Sequence, residues 1–198
     1  MVENTGNEAI RLNRLTPVAV IPGSLRLRDV PAAEWTCIRQ PRHKNDMPAA
    51  FRLGDARPGV LDAVRGTAET GGPPQGGLGG RLPTRFVSSE VTVLGAGDAA
   101  LLLGVVPAHR QLVSCELRIA EDRGSLEALD VHCEGDGQSL APGAQIESQW
   151  VVVDLERPAL DAMAAYADLL AACYRDPNQD RPAPRPPTVW CSWYYYGD

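Results

Sequence analysis

The run VTVLGAGDAALLLG is the part of the sequence that comes nearest to a nucleotide-binding motif. Gly95, Gly97 and Ala100 match the pattern G-x-G-x-x-A, and Glu116 follows about 20 residues after the glycines. A dinucleotide site needs a helix directly after those glycines, but the next residues are LLLGVVP, in which Pro107 and the β-branched valines oppose a helix. We therefore expect a Gly-Ala-Gly-Asp hairpin loop between two strands, and no cofactor.

Cysteine and histidine could provide a nucleophile or a metal site, but their spacing favours neither. The five cysteines stand singly, without a CxxC pair, at Cys37, Cys115, Cys133, Cys173 and Cys191. His132 and Cys133 are adjacent, so on a strand they point to opposite faces and do not share one ion. Cys191 and Ser192 have no histidine after them. We expect reduced, mostly buried thiols, a solvated His132 and no metal.

The acidic residues are not placed as a general acid and base. Asp154, Glu156 and Asp161 flank an expected helix start, where carboxylates interact favourably with the helix dipole. Glu134 and Asp136 are expected in a turn. The sequence therefore predicts no catalytic residue in this chain.

Alternating apolar residues predict the strands that would position these groups. Val113 to Ile119 and Leu129 to Cys133 alternate with polar residues and are separated by the polar turn EDRGS, which indicates a hairpin. Further strands are expected at Val91 to Leu94, Ala100 to Val106 and Ile146 to Val153, the last after a type II turn at Pro142–Gly143. Five consecutive strands with short connections predict an antiparallel meander suited to a β-sandwich.

After the last of these strands, apolar residues recur at every third or fourth position instead of every second. This spacing predicts one amphipathic helix from Pro158 to Tyr174, and the Pro-rich run DPNQDRPAPRPP that follows is typical of an extended connector. The predicted organisation is a poorly defined first part of the sandwich with a Gly/Pro-rich loop (1–84), the sandwich core (85–156), a linking helix (157–175), a connector (176–187) and a final strand (188–198).

The last segment, TVWCSWYYYGD, is strongly aromatic. It holds five of the eleven aromatic residues of the chain, on both faces of an expected strand. Such a run left in water would be an aggregation hazard, so it behaves as a strand buried on both sides, as in a parallel α/β barrel. The alternative from pattern alone is that it packs back onto the sandwich as one more strand.

The run PTVWCSWYYY, after a strand-rich region, a helix containing AAYADLLA and a Pro-rich connector, resembles the start of the catalytic barrel in melibiase-like α-galactosidases. The resemblance continues more weakly upstream, over roughly residues 85–196, and Val189 stands where the family usually has glycine. It implies a mainly β fold, an antiparallel β-sandwich followed by a linking α-helix and the first strand of a (β/α) barrel truncated at that point.

The family resemblance also implies the chemistry. Its members are retaining glycosidases whose two carboxylates, about 5–5.5 Å apart, lie on later barrel strands, so this chain alone is expected to be inactive. Barrel sites lie at the carboxyl ends of strands, and Trp193 is the residue expected to contact a terminal α-galactoside. Trp190 and Cys191 are expected to pack inside the barrel. The alternative for Trp193 is a purely core role.

Composition limits the partners. The formal net charge of −6 and the absence of a basic cluster oppose nucleic-acid binding, and no apolar run is long enough to predict a membrane span. The first residues lack the apolar region of a signal peptide, so we expect a cytoplasmic protein. A carbohydrate partner and a possible homo-oligomer are expected. A different hypothesis remains open: a stand-alone β-sandwich that binds carbohydrate or protein without catalysis.

Overall fold

The structure is a computed structural model that describes residues 1–40, 49–55, 84–106 and 111–174. These residues are mainly β, with antiparallel sheets and one α-helix, as expected. The strands, in chain order, are β1 (Val2–Glu3), β2 (Ile10–Val20), β3 (Thr36–Arg39), β4 (Ala49–Arg52), β5 (Arg85–Ser89), β6 (Val91–Ala96), β7 (Ala99–Val106), β8 (Val113–Ile119), β9 (Leu126–Leu140), β10 (Gln145–Ile146) and β11 (Trp150–Asp154). A 3₁₀ turn spans Ala32–Glu34, and helix α1 spans Ala159–Cys173.

Two sheets face each other. One has the strand order β11-β7-β6-β3-β4 and the other β2-β9-β8-β5, while β1 and β10 form a separate two-stranded ribbon. The residues before 84, whose sequence pattern carries few signals, contribute β2 to one sheet and β3 and β4 to the other. The described part of the chain before residue 84 is therefore integral to both layers.

The consecutive strands from β6 to β11 do not form a meander. The hairpin β6–β7 lies in the five-stranded sheet and the hairpin β8–β9 in the four-stranded sheet, and β11 returns to pair with β7. Four of the five expected strands exist, whereas the strand expected from Ile146 to Val153 is divided into β10, which pairs with β1, and β11, which pairs with β7. The expectation that each strand pairs with the next along the chain is wrong. Short connections are compatible with either arrangement, because a chain of this kind can cross from one sheet to the other between hairpins.

The core lies between the sheets and follows the alternation in the sequence. On β8, Val113, Cys115, Leu117 and Ile119 are buried, while the residues between them are partly or fully exposed. They belong to one apolar cluster with residues of the opposite sheet, among them Leu94, Leu101, Leu103 and Val105. Burying one face of each sheet in this way is the usual packing of a β-sandwich.

Helix α1 covers the other face of the five-stranded sheet. Its Ala162 and Tyr166 are buried against Val93, Ala100 and Leu102. The helix begins after Pro158, whose fixed φ suits that position, and ends at Tyr174, in agreement with the predicted Pro158 to Tyr174. The described residues thus form three layers: sheet, sheet and helix.

The contact between α1 and the sheet depends on Gly104. A Cβ atom at Gly104 would lie 2.5 Å from Cε2 of Tyr166, so the tyrosine ring rests directly on the backbone of β7. The Tyr166 hydroxyl donates a hydrogen bond to the Val105 carbonyl at 2.7 Å and accepts one from the Val105 amide at 3.1 Å. The same burial raises the pKa of Tyr166. A glycine within a strand commonly marks such a close approach.

Two predicted turns are present. Gly97 and Asp98 connect β6 to β7, and only Gly97 of this pair has a positive φ, of 65°, as in a type II′ hairpin turn. The sequence Ala141 to Ala144 is closed by a 3.0 Å hydrogen bond between their backbones, with Gly143 at φ 72° in the position that a type II turn requires.

His132 is buried, so the expectation of a solvated side chain is wrong. The imidazole Nδ1 lies 3.0 Å from the Thr16 hydroxyl, and the residue is 8% exposed. The register of β2 against β9 shifts between Leu15 and Val18, which places Thr16 and Pro17 in a bulge opposite His132. Proline has no amide hydrogen and is tolerated at a bulge, and the extra residue brings Thr16 over the imidazole.

Glu134 and Asp136 lie within β9, not in a turn as expected. Glu134 is paired with Arg14 of β2. A second register shift follows, and Asp136 and Gly137 there have positive φ values of 49° and 69°. The run EGDG therefore makes an irregularity inside a long strand, because the pairing with β2 resumes at Leu12 and Gln138.

Gly104→Ala should destabilise the fold. We expect the free energy of unfolding to fall by about 1–3 kcal/mol, since the added methyl group overpacks the contact with Tyr166. Urea denaturation followed by circular dichroism measures this. Gly95→Ala in the adjacent strand is the matched control, because its Cβ would make an ordinary 3.8 Å contact with Ala159. Equal stability of the two variants would contradict the described docking of α1.

Candidate functional site

A surface cleft at one end of the sandwich is the candidate binding site. It has a volume of about 330 Å³, within the lower range of small-molecule sites. The segment after β2 forms most of its wall, and the turn between β8 and β9 forms the rest. The cleft is lined by Gly23, Leu25, Arg26, Arg28, Asp29, Val30, Pro31, Trp35, Gly124 and Ser125. We call it the loop cleft.

Backbone hydrogen bonds hold the two walls of the loop cleft together. The amide of Gly23 donates to the Leu126 carbonyl at 3.0 Å, and the amide of Ala32 donates to the Gly124 carbonyl at 3.1 Å. Trp35 closes the base: it is only 2% exposed, and its indole N–H donates to the Val30 carbonyl at 2.9 Å. These bonds between segments distant in sequence give irregular backbone a fixed shape without ligand.

Arg28 stands at the rim in an unusual backbone conformation. Its φ is 57°, in the left-handed region that arginine rarely adopts. Its guanidinium group donates to both carboxylate oxygens of Asp98, each at 2.8 Å, and this bond lowers the pKa of Asp98. The β6–β7 turn thereby fixes the position of one cationic group at the rim.

The lining of the loop cleft is suited to binding rather than to catalysis. Arg26 and Arg28 supply planar guanidinium donors, Asp29 and Ser125 supply acceptors, and Leu25 is apolar. Polar groups of both kinds around an apolar floor can hydrogen-bond a polyhydroxylated or anionic small molecule. No histidine or cysteine is among the described residues that line the cleft.

A second group of charged residues lies on the outer face of the four-stranded sheet. Arg85 donates to Glu116 at 2.7 Å, and Arg118 lies 3.7 Å from the other carboxylate oxygen. The hydrogen bond from Arg85 is the main cause of the lowered pKa of Glu116, and burial opposes it. A carboxylate held ionised by two arginines is not a proton donor at neutral pH, so Glu116 has a structural role here.

The cysteine thiols of the core are poorly placed for reaction. Cys37, Cys115 and Cys133 are buried between the sheets, whereas Cys173 is exposed at the end of α1. Burial raises the pKa of Cys37 to about 11 and that of Cys115 to about 12. Thiolates are the reactive form, so these core thiols behave as small apolar side chains.

Asp154 organises the connection from β11 to the helix. One carboxylate oxygen accepts hydrogen bonds from the amides of Glu156 and Arg157 at 3.0 and 3.3 Å, and the other accepts from the Arg157 guanidinium at 2.6 Å. The Arg157 bond is the first cause of the lowered pKa of Asp154. Asp154 therefore shapes the loop before α1, while Asp161 stands in the first helical turn as expected.

The residues singled out from the sequence are thus separated in space or differ in role. Gly95, Gly97 and Ala100 belong to the β6–β7 hairpin, which has no helix after the glycines. Trp193, the expected sugar-contacting residue, lies outside the described residues, and so do Trp190, Cys191 and Ser192.

Sequence reasoning missed the loop cleft. In the segment IPGSLRLRDVPAAEW, apolar residues recur with neither the period of a strand nor that of a helix. Its shape depends on hydrogen bonds to the turn between β8 and β9, about 100 residues later. The only local signals are Pro22–Gly23 and Pro31, which interrupt regular secondary structure. They indicate a loop but not that the loop forms a cleft.

Comparisons of the chain with protein-family models, curated proteins and solved structures found no match. Within the described ranges, no three or more His, Cys, Asp and Glu side chains are grouped so as to hold a metal ion. In the same ranges, no helix combines the length and the apolarity that a membrane span requires.

Alkylation should distinguish the thiols. At pH 8 in native buffer, we expect iodoacetamide to modify Cys173 within minutes, and Cys37 and Cys115 at least about 100-fold more slowly. The reason is that each pKa unit lowers the thiolate fraction tenfold, and burial blocks access as well. Peptide mass mapping over time measures the rates, and denaturant should make all three react. Native Cys37 reacting as fast as Cys173 would contradict the core.

The same thiols should make the fold sensitive to alkali. The pKa values of these thiols are raised in the folded state, so the stability that they contribute is fully present below about pH 9. It is lost as pH rises toward 11, because over this range the thiols ionise in the unfolded chain but not in the folded one. We expect a decline of up to about 1.4 kcal/mol per pH unit for each thiol. Urea denaturation at pH 7 to 11 measures it, and Cys37→Ala should flatten the decline relative to Ser24→Ala, an exposed control.

Proposed function

We propose that the chain supplies the β-sandwich and the first barrel strand of an α-galactosidase-like glycoside hydrolase that acts on terminal α-linked sugars. The observation that carries the proposal is the run WCSWYYY at positions 190–196, preceded by a Pro-rich connector. A mainly β, sandwich-like region with one helix before the connector is the organisation that the proposal requires.

The outward side of α1 supports the presence of further protein beside the sandwich. A helix at a protein surface normally carries charged residues on its exposed side, but the fifteen residues of α1 include only Asp161 and Asp168 as charged residues. Leu160 is 77% exposed, and Ala164, Ala167 and Ala171 are exposed as well. A catalytic barrel connected just after this helix would cover such a surface.

In the proposal, this chain contributes to substrate binding and not to proton transfer. The resemblance assigns the two catalytic carboxylates to later barrel strands and gives Trp193 the role of covering the apolar C–H face of the terminal sugar. The carboxylates of the described region that have resolved pKa shifts, Asp98, Glu116 and Asp154, all have lowered values. Residues 1–198 by themselves should therefore not hydrolyse an α-galactoside.

A second candidate function is carbohydrate binding by the sandwich itself, and the loop cleft favours it. The guanidinium groups of Arg26 and Arg28 together with Asp29 provide donors and acceptors of the kind that sugar hydroxyls use. In this case Arg26→Ala abolishes the binding of a galactoside to residues 1–198, and Trp193→Ala leaves it unchanged.

The proposed hydrolase is tested in the complete polypeptide that the source organism makes. Trp193→Ala should lower kcat/KM for an aryl α-galactoside by about 10- to 100-fold, corresponding to about 1.4–2.8 kcal/mol of lost transition-state binding, because the sugar loses its aromatic contact. Steady-state hydrolysis measures it, with Arg26→Ala as control. The absence of α-glycosidase activity from the unsubstituted polypeptide would refute the proposal.

A further inference from the structure

Strand β11 forms an unusual edge of the five-stranded sheet. Its sequence is WVVVD, and among the described strands it pairs with β7 on one side only. Edge strands normally carry a proline, a lysine or a bulge that prevents pairing with another chain. Here Trp150 is 77% exposed and Val153 is 52% exposed, and the sequence of β11 has none of these protective features. An exposed apolar edge of this kind can act as a template for a further strand.

The pairing of β7 shows which backbone groups of β11 point away from the sheet, toward the side that no other described strand occupies. The amide of Val105 donates to the Glu90 carbonyl at 3.0 Å, on the side of β7 that faces β6. Along an antiparallel strand, the backbone groups of successive residues point alternately to the two neighbouring strands. The groups of Gly104 and Val106 therefore point to β11, where they exchange hydrogen bonds with Val152 and Trp150. It follows that the amide and carbonyl groups of Val151 and Val153 point away from β7.

We propose that β11 of a second copy of this chain pairs antiparallel with β11, about a two-fold axis at Val152. Val151 then lies opposite Val153 of the second copy, and these are the residues whose backbone groups point away from β7. Val152 lies opposite its own counterpart as a non-hydrogen-bonded pair. The two five-stranded sheets join into one continuous sheet, and the contact is isologous.

The side chains of β11 fit a copy of themselves. On the helix side, Trp150 lies opposite Asp154 of the second copy, which is bonded to Arg157 of that copy. The Arg157 guanidinium is 52% exposed, so it can stack on the Trp150 ring as a cation–π contact. On the other side, the exposed Val153 is covered by Val151. No like charges oppose each other in this register. The aromatic end of β11, at Trp150, meets the charged end of the other copy, at Asp154.

A groove beside β11 extends the contact. It lies between Val152 and helix α1 and has a volume of about 160 Å³, with Ala165 and the 37% exposed Leu169 on the helix side. Pairing at Val152 brings the corresponding groove of the second copy to the same axis, so apolar surface on both helices is removed from water. The inference rests on β11 and α1 and stands independently of the proposed hydrolase.

The other sheet edges are less suited to self-pairing. Strand β4, the opposite edge of the same sheet, is only four residues long and ends in the exposed Arg52. Strand β2 has two register shifts and contains Pro17 together with exposed Arg11 and Arg14, and β5 contains Arg85. These are the features that limit edge pairing. The described structure therefore assigns the contact to β11.

Val153→Lys tests the pairing in the full chain. Sedimentation equilibrium should give twice the mass of one chain for the unsubstituted protein. We expect Val153→Lys to raise the dimer dissociation constant at least tenfold, because two lysines are brought to the seam. Val87→Lys, at a 37% exposed edge position of β5, is the matched control and should remain dimeric. A monomeric unsubstituted chain, or a Val153→Lys variant that stays dimeric, overturns the proposal.

Val152→Cys tests the register directly. Opposite residues in a non-hydrogen-bonded pair have Cα atoms about 4.5 Å apart, which is within the range of a disulfide. Mild oxidation of this variant should join the introduced thiols of the two copies, and peptide mass mapping separates this bond from any that involves Cys173. A dimer that forms no such cross-link overturns the two-fold axis at Val152.

Discussion

The apolar layer between the two sheets is the constraint from which the other features of the fold follow. Every second side chain of β8 is buried, and these residues pack against Leu94, Leu101 and Leu103 of the facing sheet. Burying an aliphatic side chain contributes roughly 1.5–3 kcal/mol, so a slip of one residue in any central strand would expose a row of them. The register of the central strands is fixed by this layer, apart from a shift at the end of β8 between Arg118 and Ile119, and the other irregularities occur where β2 pairs with β9.

Those irregularities occur where the sheets end or meet solvent. The bulges in the pairing of β2 with β9 lie beside the edge strand β2, and the segments after β2 and between β8 and β9 meet at one end to form the loop cleft. On the opposite side of the five-stranded sheet, the lack of a side chain at Gly104 lets Tyr166 seat the helix. A regular core thus supports a cleft, a helix with an apolar outer side, and at β11 an edge that no further strand of the described residues pairs.

The sequence was informative wherever a single element determines its own pattern. The alternation in β8, the spacing of Leu160, Met163 and Leu170, and the turn at Pro142–Gly143 each specify a local structure, and each is present. The pairing within the hairpins β6–β7 and β8–β9 was predictable, but that of β7 with β11 was not, because no local pattern encodes contacts between strands that are not neighbours in the chain. The burial of His132 depends on a bulge more than 100 residues away, at Thr16 and Pro17, so alternation alone placed it in solvent. The loop cleft was missed for the same reason, and Trp193 lies outside the described residues.

The proposed hydrolase assigns the aromatic residues of positions 190–196 to a catalytic barrel, and their solvent protection in residues 1–198 alone tests this proposal most directly. Hydrogen–deuterium exchange measured by mass spectrometry compares their peptide amides with those of the central strand β8 in the same sample. We expect rapid exchange at residues 188–198 in this chain and slow exchange in the complete polypeptide. Protection equal to that of β8 in the 198-residue chain would show that the segment is a strand of the sandwich itself, and would contradict the proposed hydrolase.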